Sequence, residues 1–273
     1  MKYIHEMSEP VFAFNIWDVN SAKSIIDAAA KLQKSVVLQT SSRIFSILDK
    51  KEIYQYIKSY AERKQIKAYL HLDHCRDFHV ICEAIDSNWD SVMFDGSHLS
   101  LNENILQTNK VCSIAHRKGI LVEAEVGKIK GAEEDLQVVD ASIASFSEIQ
   151  CFLEQTSVDL FAASIGTAHG LYQGVPKIHY DMIAKINNVT KIPFVIHGGT
   201  GLAEDVFYKL LSYKNVKKIN ISTDVKQSYR KALVNVYQDG LLQENGFEAT
   251  AIEQKIHDAI MNMAYKKISL LTK

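Results

Sequence analysis

Three histidines of this chain each stand where a short apolar, β-type run ends: His74 after AYLHLD, His169 just past LFAASIGTA, and His197 after PFVI. A carboxylate directly precedes the first, in the run His71-Leu72-Asp73-His74. Imidazoles so far apart in sequence converge only if their strands are parallel neighbours ending at one rim, which is where α/β folds build active sites. Three neutral imidazoles meeting there make a zinc site with an open coordination position, and Asp73 is the nearest acid–base group. A second chemistry lies in two turns, Gly198-Gly199-Thr200-Gly201 and Asn220-Ile221-Ser222-Thr223. Glycines without Cβ let backbone N–H groups approach an anion, and each turn opens a helix whose N-terminus favours negative charge. Together these residues predict metal-assisted chemistry on a phosphorylated small molecule.

Eight β-like runs must position them: VFAFNI (11–16), VVLQT (36–40), AYLHLDH (68–74), SVMFDGS (91–97), LVEAEVG (121–127), LFAASIG (160–166), PFVIHGG (193–199) and KINIST (218–223). Stretches of helical periodicity separate them, among them Ser21–Gln33, Ile53–Arg63 and Ala203–Leu211. Ser100 with Glu103, and Ser147 with Gln150, fit capping boxes at helix starts. Strand–helix alternation repeated eight times predicts an α/β fold, a closed (β/α)8 TIM barrel, for which ~250 residues is ordinary. With three prolines and no Gly/Ser-rich linker, residues 1–273 read as one barrel domain with a C-terminal helical extension over about 224–273. The two anion turns then follow the seventh and eighth strands, the habitual phosphate site of the fold. Gly127–Ala144 is the longest non-periodic stretch and reads as a polar active-site lid.

The strands are polar at their C-terminal ends, with Asn15, Gln39, Asp95, Glu123, Glu125, Asn220 and Ser222 beside the histidines. His71 shares a strand face with Asp73 and reads as a buried structural histidine; His98 and His116 read as loop and helix residues, and His5, His79, His179 and His257 suggest no role. A formal net charge of −1 gives no footprint for nucleic acid, and the basic run Lys214–Lys218 reads as a solvated helix end. No apolar run is long enough to span a bilayer and no signal peptide opens the chain, so a cytoplasmic protein is expected. Cys75, Cys82, Cys112 and Cys151 form no CxxC pair; three read as packed thiols in helices, and Cys75 as a partly exposed neighbour of the site.

The sequence resembles the class II, metal-dependent ketose-bisphosphate aldolases, the family of fructose- and tagatose-bisphosphate aldolases. The resemblance runs through AFN (13–15), HLDH (71–74), SVMFDGSHL (91–99), ENI (103–105), AH (115–116), VEAEVG (122–127), GAEED (131–135), ASIGTAHGLY (163–172), HGGTG (197–201) and KINISTD (218–224). It implies that His74, His169 and His197 hold a catalytic Zn²⁺, that Asp73 is the acid–base residue and that Glu133 is the base for the C3 proton. Glu125 matches a position used for an alternative metal site. Gly170, Gly198, Gly199, Thr200, Asn220, Ser222 and Thr223 fall on or beside the positions that bind dihydroxyacetone phosphate, with a monovalent cation (Na⁺ or K⁺) nearby. The resemblance implies a reversible retro-aldol cleavage of a ketose bisphosphate, tagatose- or fructose-1,6-bisphosphate, to dihydroxyacetone phosphate and an aldehyde such as glyceraldehyde 3-phosphate. It also implies a homodimer or homotetramer, with the C-terminal helical segment as a contact.

Several positions depart from the family pattern: Lys130, Gln173, Ser222 and Lys226, and Glu248-Ala249-Thr250 where an Asp-Pro-Arg would bring an arginine to the aldehyde-side phosphate. A ketose 1-phosphate giving a non-phosphorylated aldehyde is therefore an alternative substrate, and a non-catalytic sugar-phosphate-binding homologue an alternative function. A barrel metallohydrolase would carry an His-x-His pair at the end of the first strand, where Asn15-Ile16-Trp17 stand. A Schiff-base aldolase needs a lysine at the C-terminal end of a strand, and Lys217-Lys218 instead stand at the start of the eighth run.

Overall fold

The computed structural model describes residues 9–133, 136–138, 143–172, 174–243, 245 and 247–272. Its strands are β1 (Val11–Asn15), β2 (Val36–Ser41), β3 (Ala68–Cys75), β4 (Ser91–Phe94), β5 (Leu121–Val126), β6 (Lys130–Glu133), β7 (Leu136–Val138), β8 (Leu160–Ala163), β9 (Ala168–His169), β10 (Phe194–Ile196) and β11 (Val216–Ile221). Its helices are α1 (Val19–Lys31), α2 (Ser42–Ile47), α3 (Lys50–Arg63), α4 (Phe78–Asp86), α5 (Leu101–Arg117), α6 (Phe146–Gln155), α7 (Tyr180–Val189), α8 (Glu204–Leu211), α9 (Thr223–Gln238) and α10 (Ala249–Ile268). All eight apolar runs enter one closed barrel in the order β1-β11-β10-β8-β5-β4-β3-β2. Every neighbouring pair in it is parallel. The expected (β/α)8 TIM barrel is the fold.

Side chains alternate across each strand, and the two faces do different work. One face packs against the helices in a continuous core that includes Phe12, Phe14, Leu38, Leu70, Val122, Phe161 and Phe194. The other lines the barrel, where Val11, Ala13, Val37, Leu121, Leu160, Ala162 and Val195 form a separate apolar cluster. Two or four positions further along these strands, the same face carries Asn15, Gln39, Glu123 and Glu125, all buried. The barrel interior is thus apolar at its N-terminal end and polar at its C-terminal end. α1 and α3 to α6 are capped by Asp18, Asp49, Asp77, Ser100 and Ser145, each accepting backbone N–H groups. At the C-terminus α10 packs on α1 and α9. Among the described residues no helix is long and apolar enough to cross a membrane.

Four local expectations are corrected. The capping box of α6 is Ser145 with Glu148, because Ser145 is the extended residue before the helix while Ser147 already lies in its first turn. The Gly127–Ala144 stretch is not purely loop: β6 and β7 pair antiparallel, and β6 pairs parallel with β9 through Lys130–Ala168 and Gly131–His169. Cys75 is fully buried, its thiol donating to the Asp77 carbonyl at 3.3 Å. Lys218 is no solvated helix end: it lies inside β11 and is 1% exposed.

Candidate active site

The end of β3 is irregular. Its register with β4 shifts between Leu72 and Cys75, and His74 has φ of 47°, a conformation that costs a non-glycine residue of order 1–3 kcal/mol. Strict alternation would send Asp73 into the barrel and His74 out to the helices. The bulge brings both to the mouth. His169 arrives on β9, and His197 follows β10 directly.

The three imidazoles meet: one ligand atom from each lies within 4.8 Å of the others. Their ring centroids are 4.6 Å apart for His74 and His197, 4.9 Å for His74 and His169, and 5.8 Å for His169 and His197. Carboxylates surround them. Glu125 Oε2 is 3.4 Å from His197 Nδ1 and 4.0 Å from His74 Nδ1, and Asp95 Oδ2 is 3.7 Å from His74 Nδ1. Asp95 in turn receives Nε and Nη2 of Arg76, each at 3.0 Å, and both the N–H and hydroxyl of Ser97. Burial pushes the Asp95 carboxyl up, but His74, Ser97 and Arg76 outweigh it and hold the group well below the usual carboxylate range.

A cation fits this arrangement. His197 Nδ1 and Glu125 Oε2 are fully buried, face each other and make no hydrogen bond. Such orphaned donor atoms are costly unless an electropositive partner sits between them. Three imidazoles with carboxylates behind them are the donor set of a divalent zinc-type ion.

Asp73 is 1% exposed and clamped by amides: Gln39 Nε2 donates to Oδ2 at 2.8 Å and Asn220 Nδ2 to Oδ1 at 3.3 Å. Gln39 also donates to Asn15 Oδ1 at 2.8 Å. His71 is buried as expected, with Nδ1 on Ser91 Oγ at 2.8 Å, and burial pulls its pKa well down.

Beside the imidazoles lie the two turns expected to bind an anion. Gly198 has φ of +70°, and a Cβ there would come within 2.3 Å of the Ala168 carbonyl oxygen, so only glycine fits. Gly199 N–H donates to the Asn220 carbonyl at 3.0 Å, and Thr200 Oγ1 accepts from Asp224 N–H at 3.3 Å, tying the two turns together. Ala203 and Ser222, the N-caps of α8 and α9, make no side-chain cap bond. Gly170 has φ of +90° next to His169. Thr223 opens α9.

The structure therefore brings together His74, His169, His197, Glu125, Asp73 and Asn220, with the glycine turns alongside. Glu133 lies in β6, but its side chain, like that of Lys130, lies outside the described residues, as do Gln173 and His5. His98 is exposed, and His116, on α5, pairs with Asp159 just before β8. Two residues were missed. Lys218 donates to Glu123 Oε2 at 2.8 Å inside the barrel; its signal was the alternation Lys218–Asn220–Ser222, which puts it on the site's face. Tyr172 donates to the Gly198 carbonyl at 2.6 Å and accepts from Ala168 N–H at 3.1 Å, with burial pushing its phenol up to about 12. It sits two residues after Gly170 in the GLY run, a position that sequence alone does not distinguish.

Fold and site define a class: a (β/α)8 barrel with a candidate metal centre, a buried carboxylate and glycine-rich turns on its C-terminal rim. Residues 1–273 match the profile of the family described as fructose-bisphosphate aldolase class-II, and the chain belongs to that family. A sulfofructosephosphate aldolase from Alkalicoccus urumqiensis is 33% identical over 231 residues, 84% of this chain and 80% of the relative. The 6-phospho-5-dehydro-2-deoxy-D-gluconate aldolase of Bacillus subtilis (strain 168) is 34% identical over 245 residues, covering 88% and 84%. Among solved structures, the YdjI aldolase of Escherichia coli K12 aligns with TM-score 0.82 and 24% identity over 98% of this chain and 93% of the other. A putative fructose-1,6-bisphosphate aldolase from Coccidioides immitis aligns with TM-score 0.87 and 22% identity over the same shares, 98% and 93%. At those identities the structural matches show the fold. The family and the curated relatives make the protein a class II aldolase.

Proposed function

We propose that this aldolase is zinc-dependent and reversibly cleaves a ketose phosphate to dihydroxyacetone phosphate and an aldehyde. The observation that carries the reading is the convergence of His74, His169 and His197 within 4.8 Å, on the same rim as Asp73 and the glycine turns. His74, His169 and His197 would hold the ion, with Glu125 as a further or alternative ligand. Bound zinc supplies Lewis acidity toward the substrate's carbonyl and hydroxyl oxygens.

The chain's own groups do the rest. The turns at Gly198–Thr200 and Asn220–Thr223, tied together by the Gly199 N–H, would hold the phosphate with Gly170 and the uncapped starts of α8 and α9. Asp73, oriented by Gln39 and Asn220, takes the C4 hydroxyl proton during cleavage and returns it to the aldehyde oxygen during condensation. Glu133 exchanges the C3 proton. Lys218 is unsuited to a Schiff base, since its ammonium is bonded to Glu123 on the barrel face below Asn220. Family resemblance supports a Na⁺ or K⁺ ion beside the phosphate and a homodimeric or homotetrameric assembly.

One observation favours a monophosphate substrate over fructose- or tagatose-1,6-bisphosphate. Residues 248–250, at the start of α10, are exposed Glu-Ala-Thr and offer no arginine to a second phosphate. The relatives' names agree, each describing one phosphate and a different acid at the other end: a sulfo group in one, a gluconate in the other. The test is a retro-aldol screen that detects released dihydroxyacetone phosphate. It would include fructose and tagatose bisphosphates, their 1-phosphates, and the two relatives' substrates. Release from none of them overturns the proposal, and turnover of a bisphosphate alone overturns the monophosphate preference.

A further inference from the structure

Beneath the metal centre lies a chain of buried polar side chains that the proposed reaction does not use. Lys218 Nζ donates to Glu123 Oε2 at 2.8 Å, and Glu123 Oε1 lies 2.9 Å from His197 Nε2. Lys218, Glu123 and His197 are at most 1% exposed. Lys218 sits between Val11 of β1 and Val195 of β10, while Glu123 sits between Met93 of β4 and Leu160 of β8, so the pair spans the barrel interior.

A buried ion pair is weak evidence for stability, since well-packed apolar residues commonly do as well. Its geometry suggests a different use. An ionised carboxylate only accepts, so the bond to Glu123 requires a proton on His197 Nε2, and in the neutral ring, the form that can ligate a metal, the lone pair is then on Nδ1. Nδ1 is the atom that faces Glu125 Oε2 at 3.4 Å and lacks a hydrogen bond. Lys218 fixes the other oxygen: His71 Nε2 is 3.6 Å from Glu123 Oε2 and 3.9 Å from Asp73 Oδ1, and without the ammonium the carboxylate is free to turn toward it.

We propose that Lys218 and Glu123 form a positioning pair that sets the tautomer and ring orientation of His197, so that Nδ1 is presented to the metal. The inference rests on the zinc reading of the site. Outer partners of this kind change metal affinity by about 10–100-fold.

The experiment uses the full chain with histidine labelled in ¹⁵N, together with zinc affinity measured by competition with a chromophoric chelator. In metal-free wild-type protein, at a pH high enough for the ring to be neutral, His197 is expected as the Nε2–H tautomer; a neutral ring with its proton on Nδ1 would overturn the proposal without any variant. Glu123→Gln is expected to lower zinc affinity about 10–100-fold. Because a single change strands a buried charge and can unfold the protein, the double variant Glu123→Leu/Lys218→Met is the decisive one. It is expected to melt near the wild-type temperature, show mixed His197 tautomers and bind zinc about 10–100-fold more weakly. A folded double variant with wild-type tautomer and affinity refutes the positioning role. Wild-type protein that binds no zinc refutes the metal reading instead, and the tautomer measurement keeps the two failures apart.

Discussion

Gln39 Nε2 lies 2.8 Å from Asp73 Oδ2, so an amide on β2 aims the carboxylate at the end of β3. The neighbouring strands are in register there, with Gln39 opposite His71 and Ser41 opposite Asp73. Asp73→Asn is expected to lower kcat for cleavage by about 10²–10⁴-fold while bound zinc stays at the wild-type level. Gln39→Leu should cost up to about 10²-fold through misplacement alone. Coupled assays of dihydroxyacetone phosphate, with metal analysis on the same samples, check both. Near-normal turnover in Asp73→Asn would remove it as the acid–base group.

Chelation should abolish activity, and Zn²⁺ or Co²⁺ should restore it, because the imidazole set supplies ligands that the substrate's oxygens would complete. Borohydride added during turnover should leave every lysine unmodified, as mass spectrometry can verify. A trapped Lys218 adduct would reassign the chemistry.

Gly131 is the contact point between β6 and His169, a proposed metal ligand. Its φ is +123°, and a Cβ there would fall 2.2 Å from the His169 carbonyl oxygen. Gly131→Ala must push β6 off β9, a strain of order 1–3 kcal/mol concentrated beside the site. Zinc affinity and kcat are expected to fall while the melting temperature changes by only a few degrees. Equal metal affinity in the variant would show that His169 keeps its place without β6.

Between α1 and α10, His257 Nδ1 is 2.9 Å from Ser24 Oγ, and Nε2 is 3.6 Å from Asp27 Oδ2. Burial, then the Lys23 charge, lower the His257 pKa from its ordinary 6.5. The unfolded chain therefore binds this proton at higher pH than the folded one. The contribution to stability is full above the ordinary value and is lost as pH falls through it toward the folded value. Thermal melts between about pH 8 and 5 should steepen downward below about pH 6.5, and His257→Gln should flatten that slope. Asp27 acts at more acidic pH: burial raises its pKa, but bonds from Lys64, Lys23 and Tyr60 bring it below its ordinary value. An unchanged slope in His257→Gln would exonerate the histidine.

The barrel was legible because each strand announces itself locally. Apolar runs alternate with helical periods, and Asp73, His74, His169 and His197 fall where the runs end. What escaped depends on contacts across the chain. Lys218 looks like surface charge beside Lys214 and Lys217 until β11 is placed between β1 and β10 and its partner Glu123 is found 95 residues away. The strands β6 and β7 are short, four and three residues, and β6 finds its second partner in β9, which carries His169 and is remote in sequence. Cys75 packs in the helix-side core because a bulge, which no periodicity reports, breaks its alternation with Asp73.

That pairing of β6 with β9 bears on how such an enzyme could be changed. The segment following β5 is usually regarded as a replaceable part, open to exchange when a new substrate is wanted. Here its first strand shares a backbone ladder with the proposed metal ligand His169, so a transplanted segment would have to bring a residue without a side chain opposite it. A graft that ignores the ladder would displace the backbone of His169 along with the segment it replaces.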